Sequence, residues 1–407
     1  MKFKLKIDNY LFSLLAIGEN VYIIKNESVF CEMVLDKKAK INHSKIKSIN
    51  MDSPTLFFND KLVRLQEIQP NLYEPTSMSV FEDALKETLI PNVGTDYNFN
   101  EKKFPKMPRE GHGKTAVIVP FFNYSANPRM IENYHRFREG LNFDDVFVIE
   151  SVLNVDFQIK ESADFMRIEA KPENLMWQKE RMINLAIENL PPEYTNVAWI
   201  DADVIFEDKD WRYELEDRLD DYAFVQLFNT AQWLDASGNP SHYFRSPFSP
   251  LRQGDLRHHV GFAWAARREV VQAIGGLFDL HVAGNGDCFI YHALTGVPEN
   301  DMGALSMDMV NGLPGFNYKF WKYRNDVLRE TNASVSCLSG NLKHLYHGSL
   351  ASRKYSGRQQ ILIRNKFDPV DDLFVGDSGL YEWKDKENTR EIQKMISEYF
   401  SKTKQAT

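Results

Sequence analysis

The stretch "VAWIDADVIF", residues 197–206, places two carboxylates, Asp201 and Asp203, directly after an apolar run. The run at 196–200 is apolar enough for a strand that is buried on both faces, as in a parallel sheet. Residues i and i+2 of an extended backbone project in the same direction, so the two carboxylates would converge and repel each other. A divalent cation that prefers oxygen ligands, Mg²⁺ or Mn²⁺, would remove that repulsion. The stretch therefore predicts a buried strand that ends at a metal site.

Predicted strands and helices alternate along the chain around this stretch. The apolar runs at 115–121 and 144–150 predict strands, and the patterns at 128–141 and 173–190 predict helices. Such alternation is typical of an α/β, doubly wound, mostly parallel sheet, which binds ligands at the carboxyl ends of its strands. Asp201 and Asp203 are therefore expected at the functional edge of the sheet.

The remaining chain suggests further domains. Residues 1–110 contain short β-like runs such as "KFKLKI", "NVYIIK", "SVFCEMVL" and "TLFFND", separated by turn-forming residues. They predict a small β-rich N-terminal domain, with a polar linker at 92–114. We expect the α/β domain to cover 114–370 and a C-terminal helical extension to cover 371–407.

Composition limits the class of protein. With 407 residues, 43% hydrophobic residues and a net charge of −8, the chain is typical of a globular protein and not of a general polyanion binder. Residues 341–367 nevertheless hold six Lys or Arg and no acid, which indicates a binding site for a specific anion. The three scattered cysteines argue against a disulfide framework or a structural zinc site. No apolar segment is long enough to span a bilayer, so we expect a cytoplasmic protein.

Other acidic patterns near this stretch have simpler explanations or fail. A second D-x-D, Asp208 to Asp210, lies in polar sequence just before a helical pattern, and helix capping is the simpler explanation there. A calcium loop beginning at Asp201 fails, because Ile205 and Phe206 occupy positions that need a ligand and a glycine.

Several motifs in order across residues 114–366 resemble the nucleotide-sugar glycosyltransferases of the GT-A fold, in particular their family-2-like members. The motifs are "TAVIVPFFNYS" (115–125), "WQKERMINLAIENL" (177–190), "WIDADVIF" (199–206), "VGFAWAARREVVQAIGGLFDLHVAGNGDCFIYHAL" (260–294) and "HLYHGS" (344–349). The Lys-, Asn- and Phe-rich texture also resembles enzymes of large tailed phages, which would place the protein in the host cytoplasm.

This resemblance implies a metal site and a general base. Asp203, together with Asp201, would hold a cation on the diphosphate of the donor, with Asp201 also near the ribose, and His347 would be a further ligand. His344 is the weaker candidate for a ligand and would contact the residues that bind the ion without binding it itself. Asp287 would be the base that takes the proton from an acceptor hydroxyl. Its alternative role is the N-cap of the following helix.

The resemblance also implies contacts with the donor. Arg181 and Asn184 would face the nucleotide, and three basic residues would steady the diphosphate: Arg353, Lys354 and Arg358. Relatives carry an acidic pair where this chain has Gly286 and Asp287, so the resemblance implies the base at Asp287 but no acceptor contact at position 286. Trp264 would be either a wall for a sugar ring or, as its buried strand suggests, part of the core. The long loop 229–259 is expected to act as a lid.

The resulting hypothesis is a metal-dependent glycosyltransferase that uses a nucleotide-diphosphate sugar. Its acceptor would be a glycan, a small molecule, a protein or a hydroxymethylated base in phage DNA. Residues 1–50 hold nine Lys against five acids, which favours the DNA acceptor, whereas the overall acidity disfavours it. The alternatives are a nucleotidyltransferase and a non-catalytic sugar-binding protein with the same fold.

Overall fold

The structure is a computed structural model whose described part covers most of the chain after residue 113 and the strands before it. The described residues are 2–7, 10–17, 20–25, 28–34, 46–50, 55–58, 61–69, 72–75, 105–109, 113–249, 257–295, 310, 312–348 and 355–405. Contacts between Cα atoms divide the chain into two units, Met1–Asn98 and Phe99–Thr407. The predicted linker lies across this division, and its residues 92–104 and 110–112 lie outside the described residues.

The described strands of the first unit form one eight-stranded sheet. Its strand order is β4-β3-β2-β1-β8-β7-β6-β5. Neighbouring strands are antiparallel except for β1 and β8, which are parallel. The strands are β1 Lys2–Ile7, β2 Tyr10–Ile17, β3 Asn20–Lys25, β4 Ser28–Val34, β5 Ile46–Asn50, β6 Thr55–Phe58, β7 Lys61–Gln69 and β8 Leu72–Pro75.

The second unit is built on a seven-stranded, mostly parallel sheet, as the sequence predicts. Its order is β11-β10-β9-β12-β17-β14-β18, and β17 alone runs antiparallel to its neighbours. The strands are β9 Lys114–Phe122, β10 Val146–Val152, β11 Met166–Glu169, β12 Tyr194–Ile200, β14 Phe224–Gln226, β17 Ala263–Arg267 and β18 Val335–Cys337.

Two smaller sheets and nine helices within the described residues complete this unit. One sheet has the order β13-β19-β15-β16 and the other pairs β20 with β21. Their strands are β13 Val204–Phe206, β15 Thr230–Leu234, β16 Pro240–Arg245, β19 Asn341–His344, β20 Leu373–Val375 and β21 Tyr381–Trp383. The helices are α1 Pro128–Gly140, α2 Lys179–Asn189, α3 Trp211–Asp221, α4 Arg268–Ala273, α5 Gly286–Thr295, α6 Pro314–Thr331, α7 Tyr355–Arg364, α8 Pro369–Asp372 and α9 Glu387–Gln405.

The central strands are continuously apolar because both faces of the sheet are covered. In β9, Val117 and Val119 belong to one buried cluster, whereas Ala116 and Ile118 belong to the other. Successive side chains of a strand point to opposite faces, so an uninterrupted apolar run serves two cores at once. The C-terminal residues 371–407, predicted as a helical extension, contain a β-hairpin as well as α9. Trp383 of that hairpin is part of the same cluster as Ile118.

Two sequence predictions need correction. The helix predicted at 173–190 begins only at Lys179, because the preceding residues bind the β20–β21 hairpin. Gln178 accepts a hydrogen bond from the Tyr381 backbone N–H at 2.7 Å, and Asn174 donates one to the Tyr381 carbonyl at 2.9 Å. The predicted loop 229–259 is largely the β15–β16 hairpin, which pairs with β19; residues 250–256 lie outside the described residues.

Among the residues that the structure describes, no helix is both long and apolar enough to cross a bilayer.

Candidate active site

Strand pairing brings Asp203 to two histidines that are distant in sequence. Strand β13, which follows Asp203, pairs antiparallel with β19, and Val204 lies opposite His344. The Leu345 backbone N–H then donates to the Asp203 carbonyl at 2.7 Å. His344 Nε2 lies 3.6 Å and His347 Nε2 lies 3.2 Å from Asp203 Oδ2. Three side chains with metal-binding atoms therefore meet at the carboxyl edge of the central sheet.

This cluster suits a divalent cation. The ligand atoms of Asp203, His344 and His347 all lie within 4.8 Å of one another. Neighbouring ligands about 2.1 Å from one ion are roughly 3 Å apart, which is close to the observed spacing. Two imidazoles beside one carboxylate favour a transition-metal ion such as Mn²⁺ over Mg²⁺, which prefers oxygen ligands. The cluster thus contains two of the predicted ligands, Asp203 and His347, and adds His344 as a third.

Asp201 faces a different partner. The Lys179 ammonium, at the first residue of α2, donates to Asp201 Oδ1 at 3.2 Å. The Asp201 backbone N–H donates to the Phe262 carbonyl at 2.8 Å, which fixes this turn against β17. Asp201 therefore pairs with an ammonium, whereas Asp203 lies beside two histidines.

Asp287 shares the same ammonium. Lys179 Nζ donates to Asp287 Oδ2 at 2.8 Å. Helix α5 begins at Gly286, so Asp287 lies in its first turn, where the helix dipole stabilises a carboxylate. The preceding Asn285 has a φ of 83°, a left-handed conformation that turns the chain sharply into the helix. The predicted base thus points from the helix start toward Lys179.

Burial perturbs the charges of this group. Burial raises the pKa of Asp201 to about 7, although Lys179 opposes the shift. Burial likewise raises the pKa of Glu180, next to Lys179, to about 7. The surrounding carboxylates of Asp201, Asp287 and Glu180 hold the pKa of Lys179 well above its usual value, against the effect of burial. The site therefore keeps a charged ammonium beside Asp201 and Glu180, whose carboxyl groups ionise near neutral pH.

Histidine and aromatic rings line the other side of the histidine pair. His259 stacks on Phe262 at 3.9 Å between ring centroids, and Phe262 lies 5.1 Å from His344. Phe262 has a φ of 81°, which is unusual for a bulky residue and is tolerated where packing holds the backbone. Trp233 of β15 lies 5.7 Å from His344. Trp264 is fully buried in β17, in agreement with a core role.

The residues predicted to contact the donor lie on several segments of the protein. Arg181 Nε donates to the Gly379 carbonyl at 2.7 Å, and Asn184 binds the Leu277 backbone through both its amide oxygen and its nitrogen. The Arg358 guanidinium lies over the Trp177 ring at 4.7 Å from its centroid. Arg353 and Lys354 lie outside the described residues. In the structure, Arg181 and Asn184 thus join α2 to neighbouring segments.

Sequence reasoning did not single out Lys179 and Glu180, and it ranked His344 below His347. The sequence feature that points to Lys179 and Glu180 is a pair of adjacent opposite charges at the start of an amphipathic helix. That helix precedes the strand that leads to the D-x-D motif. Charged residues in a first helical turn are common, however, so this pattern alone does not distinguish a site from a solvated surface.

No protein-family model matches the chain, and no curated protein matches it. The fold is similar to the catalytic domain of Drosophila β1,4-galactosyltransferase 7 in complex with xylobiose, with 12% identity, a TM-score of 0.32, and coverage of 69% of this chain and 98% of that one. It is also similar to S. aureus TarS 1-349 in complex with UDP-GlcNAc, with 11% identity, a TM-score of 0.36, and coverage of 62% and 66%. A third similar structure is mannosyl-3-phosphoglycerate synthase from Rubrobacter xylanophilus, with 12% identity, a TM-score of 0.32, and coverage of 67% of this chain and 85% of that one.

Proposed function

We propose that this chain is a metal-dependent glycosyltransferase that moves a sugar from a nucleotide-diphosphate donor to an acceptor hydroxyl. The observation that carries the proposal is the meeting of two groups at the carboxyl edge of an α/β sheet. One group is the Asp203, His344 and His347 cluster, and the other is the Lys179 ammonium between Asp201 and Asp287. Ligands of open α/β sheets bind at this edge.

Asp203, His344 and His347 would hold the cation. A cation bound by these three residues would supply positive charge to a leaving diphosphate. Lys179, whose raised pKa keeps its ammonium charged, contacts Asp201, which lies two residues before Asp203, and would add a second positive charge. Arg353, Lys354 and Arg358 remain proposed partners of the diphosphate, and Arg181 and Asn184 remain proposed neighbours of the nucleotide.

Asp287 would act as the general base. Its carboxylate would accept the proton of the attacking hydroxyl. The hydrogen bond from Lys179 at 2.8 Å fixes the orientation of that carboxylate, so the other oxygen can face an acceptor. Asp201 contacts the same ammonium and lies two residues before Asp203. It would therefore connect the base to the metal site.

The acceptor is proposed as a class. A hydroxyl of a glycan, a small molecule, a protein or a hydroxymethylated DNA base would meet the requirement for an ionisable proton near Asp287. The excess of Lys over acids in residues 1–50 supports including DNA among the acceptors to be tested.

The experiment is a thermal-stability screen with UDP- and GDP-sugars, each with and without Mn²⁺. We expect a Mn²⁺-dependent rise in the melting temperature with one donor, because a ligand that binds only the native state stabilises it. Transfer to a panel of acceptors, including hydroxymethylated DNA, would then be followed by mass spectrometry. The absence of any donor-dependent shift would contradict the proposal and favour a non-catalytic sugar-binding role.

A further inference from the structure

Glu180 is a buried carboxylate that has no role in the transfer proposed above. Its side chain belongs to a residue that is only 3% exposed, and its Oε1 accepts no hydrogen bond within the described part of the chain. That oxygen lies 3.9 Å from Lys179 Nζ, beyond hydrogen-bond distance. A buried carboxylate oxygen that accepts no hydrogen bond is costly to the folded state. The presence of such a group beside Lys179 therefore calls for an explanation other than stability.

The chain also leaves space for this carboxylate. A Cβ at Gly286 would lie 2.1 Å from Glu180 Cδ and 2.2 Å from Oε1. Any side chain at position 286 would therefore displace the carboxylate. Glu180 rests against the backbone at the start of α5, one residue before Asp287.

Three carboxylates thus surround one ammonium. Lys179 Nζ donates to Asp287 Oδ2 at 2.8 Å and to Asp201 Oδ1 at 3.2 Å, and Glu180 Oε1 is the third oxygen at 3.9 Å. An ammonium has three N–H donors, so two of them are used by these bonds. A shift of about 1 Å would bring the third within hydrogen-bond distance of Glu180.

We propose that Glu180 is a positioning residue that keeps the Lys179 ammonium in place while Asp287 accepts the proton of the acceptor. The inference rests on the proposed function. In the transfer, the hydroxyl proton passes to Asp287 and the hydroxyl oxygen bonds to the sugar carbon. The electron pair of the broken sugar–phosphate bond leaves with the nucleoside diphosphate. Once protonated, Asp287 attracts the ammonium less strongly, and Glu180 supplies the replacing negative charge.

The test uses Glu180→Gln, which keeps the shape of the side chain and removes its charge. Release of nucleoside diphosphate to water is measured with UDP-glucose, UDP-galactose, UDP-GlcNAc and GDP-mannose in the presence of Mn²⁺. We expect kcat to fall about tenfold while the donor KM changes less than about twofold, because the variant lacks an interaction needed only during proton transfer. The melting temperature of the metal-free variant should rise by about 2–4 °C, since a buried charge is removed.

Glu382→Gln is the matched control. The Glu382 carboxylate is also buried and also packs against a glycine, because a Cβ at Gly376 would lie 2.1 Å from Glu382 Oε1. It belongs to β21, and its cationic partner is Lys171. This variant should retain the wild-type kcat.

Each other outcome overturns the inference in a distinguishable way. If the wild-type protein neither binds nor cleaves any of the donors, the proposed function fails and the role of Glu180 fails with it. If the wild-type protein is active and Glu180→Gln has the same kcat, only the role of Glu180 is wrong. Loss of kcat together with a lower melting temperature and weaker donor binding would indicate a structural role, as would an equal loss in Glu382→Gln.

Discussion

The Lys179 ammonium donates a 2.8 Å hydrogen bond to the Asp287 carboxylate and so joins residues that are 108 positions apart in the chain. The bond connects the first residue of α2 to the first turn of α5. Because Lys179 also contacts Asp201, it connects the proposed base with the turn that leads to the proposed metal ligand Asp203.

Lys179→Met should both destabilise the protein and reduce its activity. The substitution leaves Asp201, Asp287 and Glu180 without their shared cation, and loss of one partner of a largely buried ion pair costs about 3 kcal/mol. Chemical denaturation would measure the loss. Lys343→Met is the control, because Lys343 pairs with the half-exposed Glu207 at 2.8 Å and such pairs contribute less than about 1 kcal/mol. Equal losses in the two variants would contradict the central role of Lys179.

Mn²⁺ should bind the protein through Asp203, His344 and His347. With Mn²⁺ at a hundredfold excess over its Kd, we expect a gain of about 2.7 kcal/mol in the free energy of unfolding. Asp203→Asn, His344→Ala and His347→Ala should each abolish most of that gain. The control is Asp208→Asn, which alters the second D-x-D, where Asp208 accepts a hydrogen bond from the Asp210 backbone N–H. A panel of Mn²⁺, Mg²⁺ and Fe²⁺ would identify the preferred ion, and Mg²⁺ binding as tightly as Mn²⁺ would contradict the role of the histidines.

Asp203→Ala should abolish cleavage of the donor while leaving the fold intact. The side chain belongs to a turn at the sheet edge, and the β13–β19 pairing uses backbone groups that the substitution keeps. Product release would be measured by chromatography, and the fold by far-UV circular dichroism. Turnover at the wild-type rate would rule out Asp203 as the metal ligand.

The free energy of unfolding of the metal-free protein should depend on the ionisation of Glu180. Its pKa is about 7 in the folded protein, above its ordinary value near 4.5, so its stabilising contribution is complete below pH 4.5 and is lost as the pH rises through 7. Glu180→Gln should therefore gain stability relative to the wild type between pH 5.5 and pH 8. Denaturation curves of both proteins at the two pH values would measure that gain.

The comparison with Glu180→Gln is needed because other groups act in the opposite direction. Burial lowers the pKa of His281 and His292 to about 3, so their contribution is present above pH 6.5 and is lost as the pH falls below it. These histidines are the same in both proteins and cancel in the difference. A difference that does not change with pH would contradict the raised pKa of Glu180.

Gly286→Ala should destabilise the protein by about 2 kcal/mol, because the new methyl group would overlap the Glu180 carboxylate. In a Glu180→Ala background the same substitution should cost much less. A double-mutant cycle measured by denaturation isolates this interaction. Costs that are equal in both backgrounds would show that the two residues do not interact.

Local sequence was sufficient for the elements that frame the site. The apolar run at 115–121 and the run before Asp201 predicted β9 and β12, because strands buried on both faces must be apolar throughout. The position of Asp201 and Asp203 after β12 predicted the functional edge. The start of α2 was predicted too early, since the amphipathic pattern at 173–178 reflects contacts with the C-terminal hairpin and not helical periodicity.

The sequence by itself determined which strands are buried on both faces and that two carboxylates follow β12. Only the tertiary structure decided how those groups are paired. The β13–β19 ladder directs both His344 and His347 to Asp203, whereas the start of α2 directs Lys179 to Asp201 and Asp287. The physical reason is that hydrophobic periodicity records the burial of each residue, whereas charge pairing depends on distances between segments that are far apart in the chain.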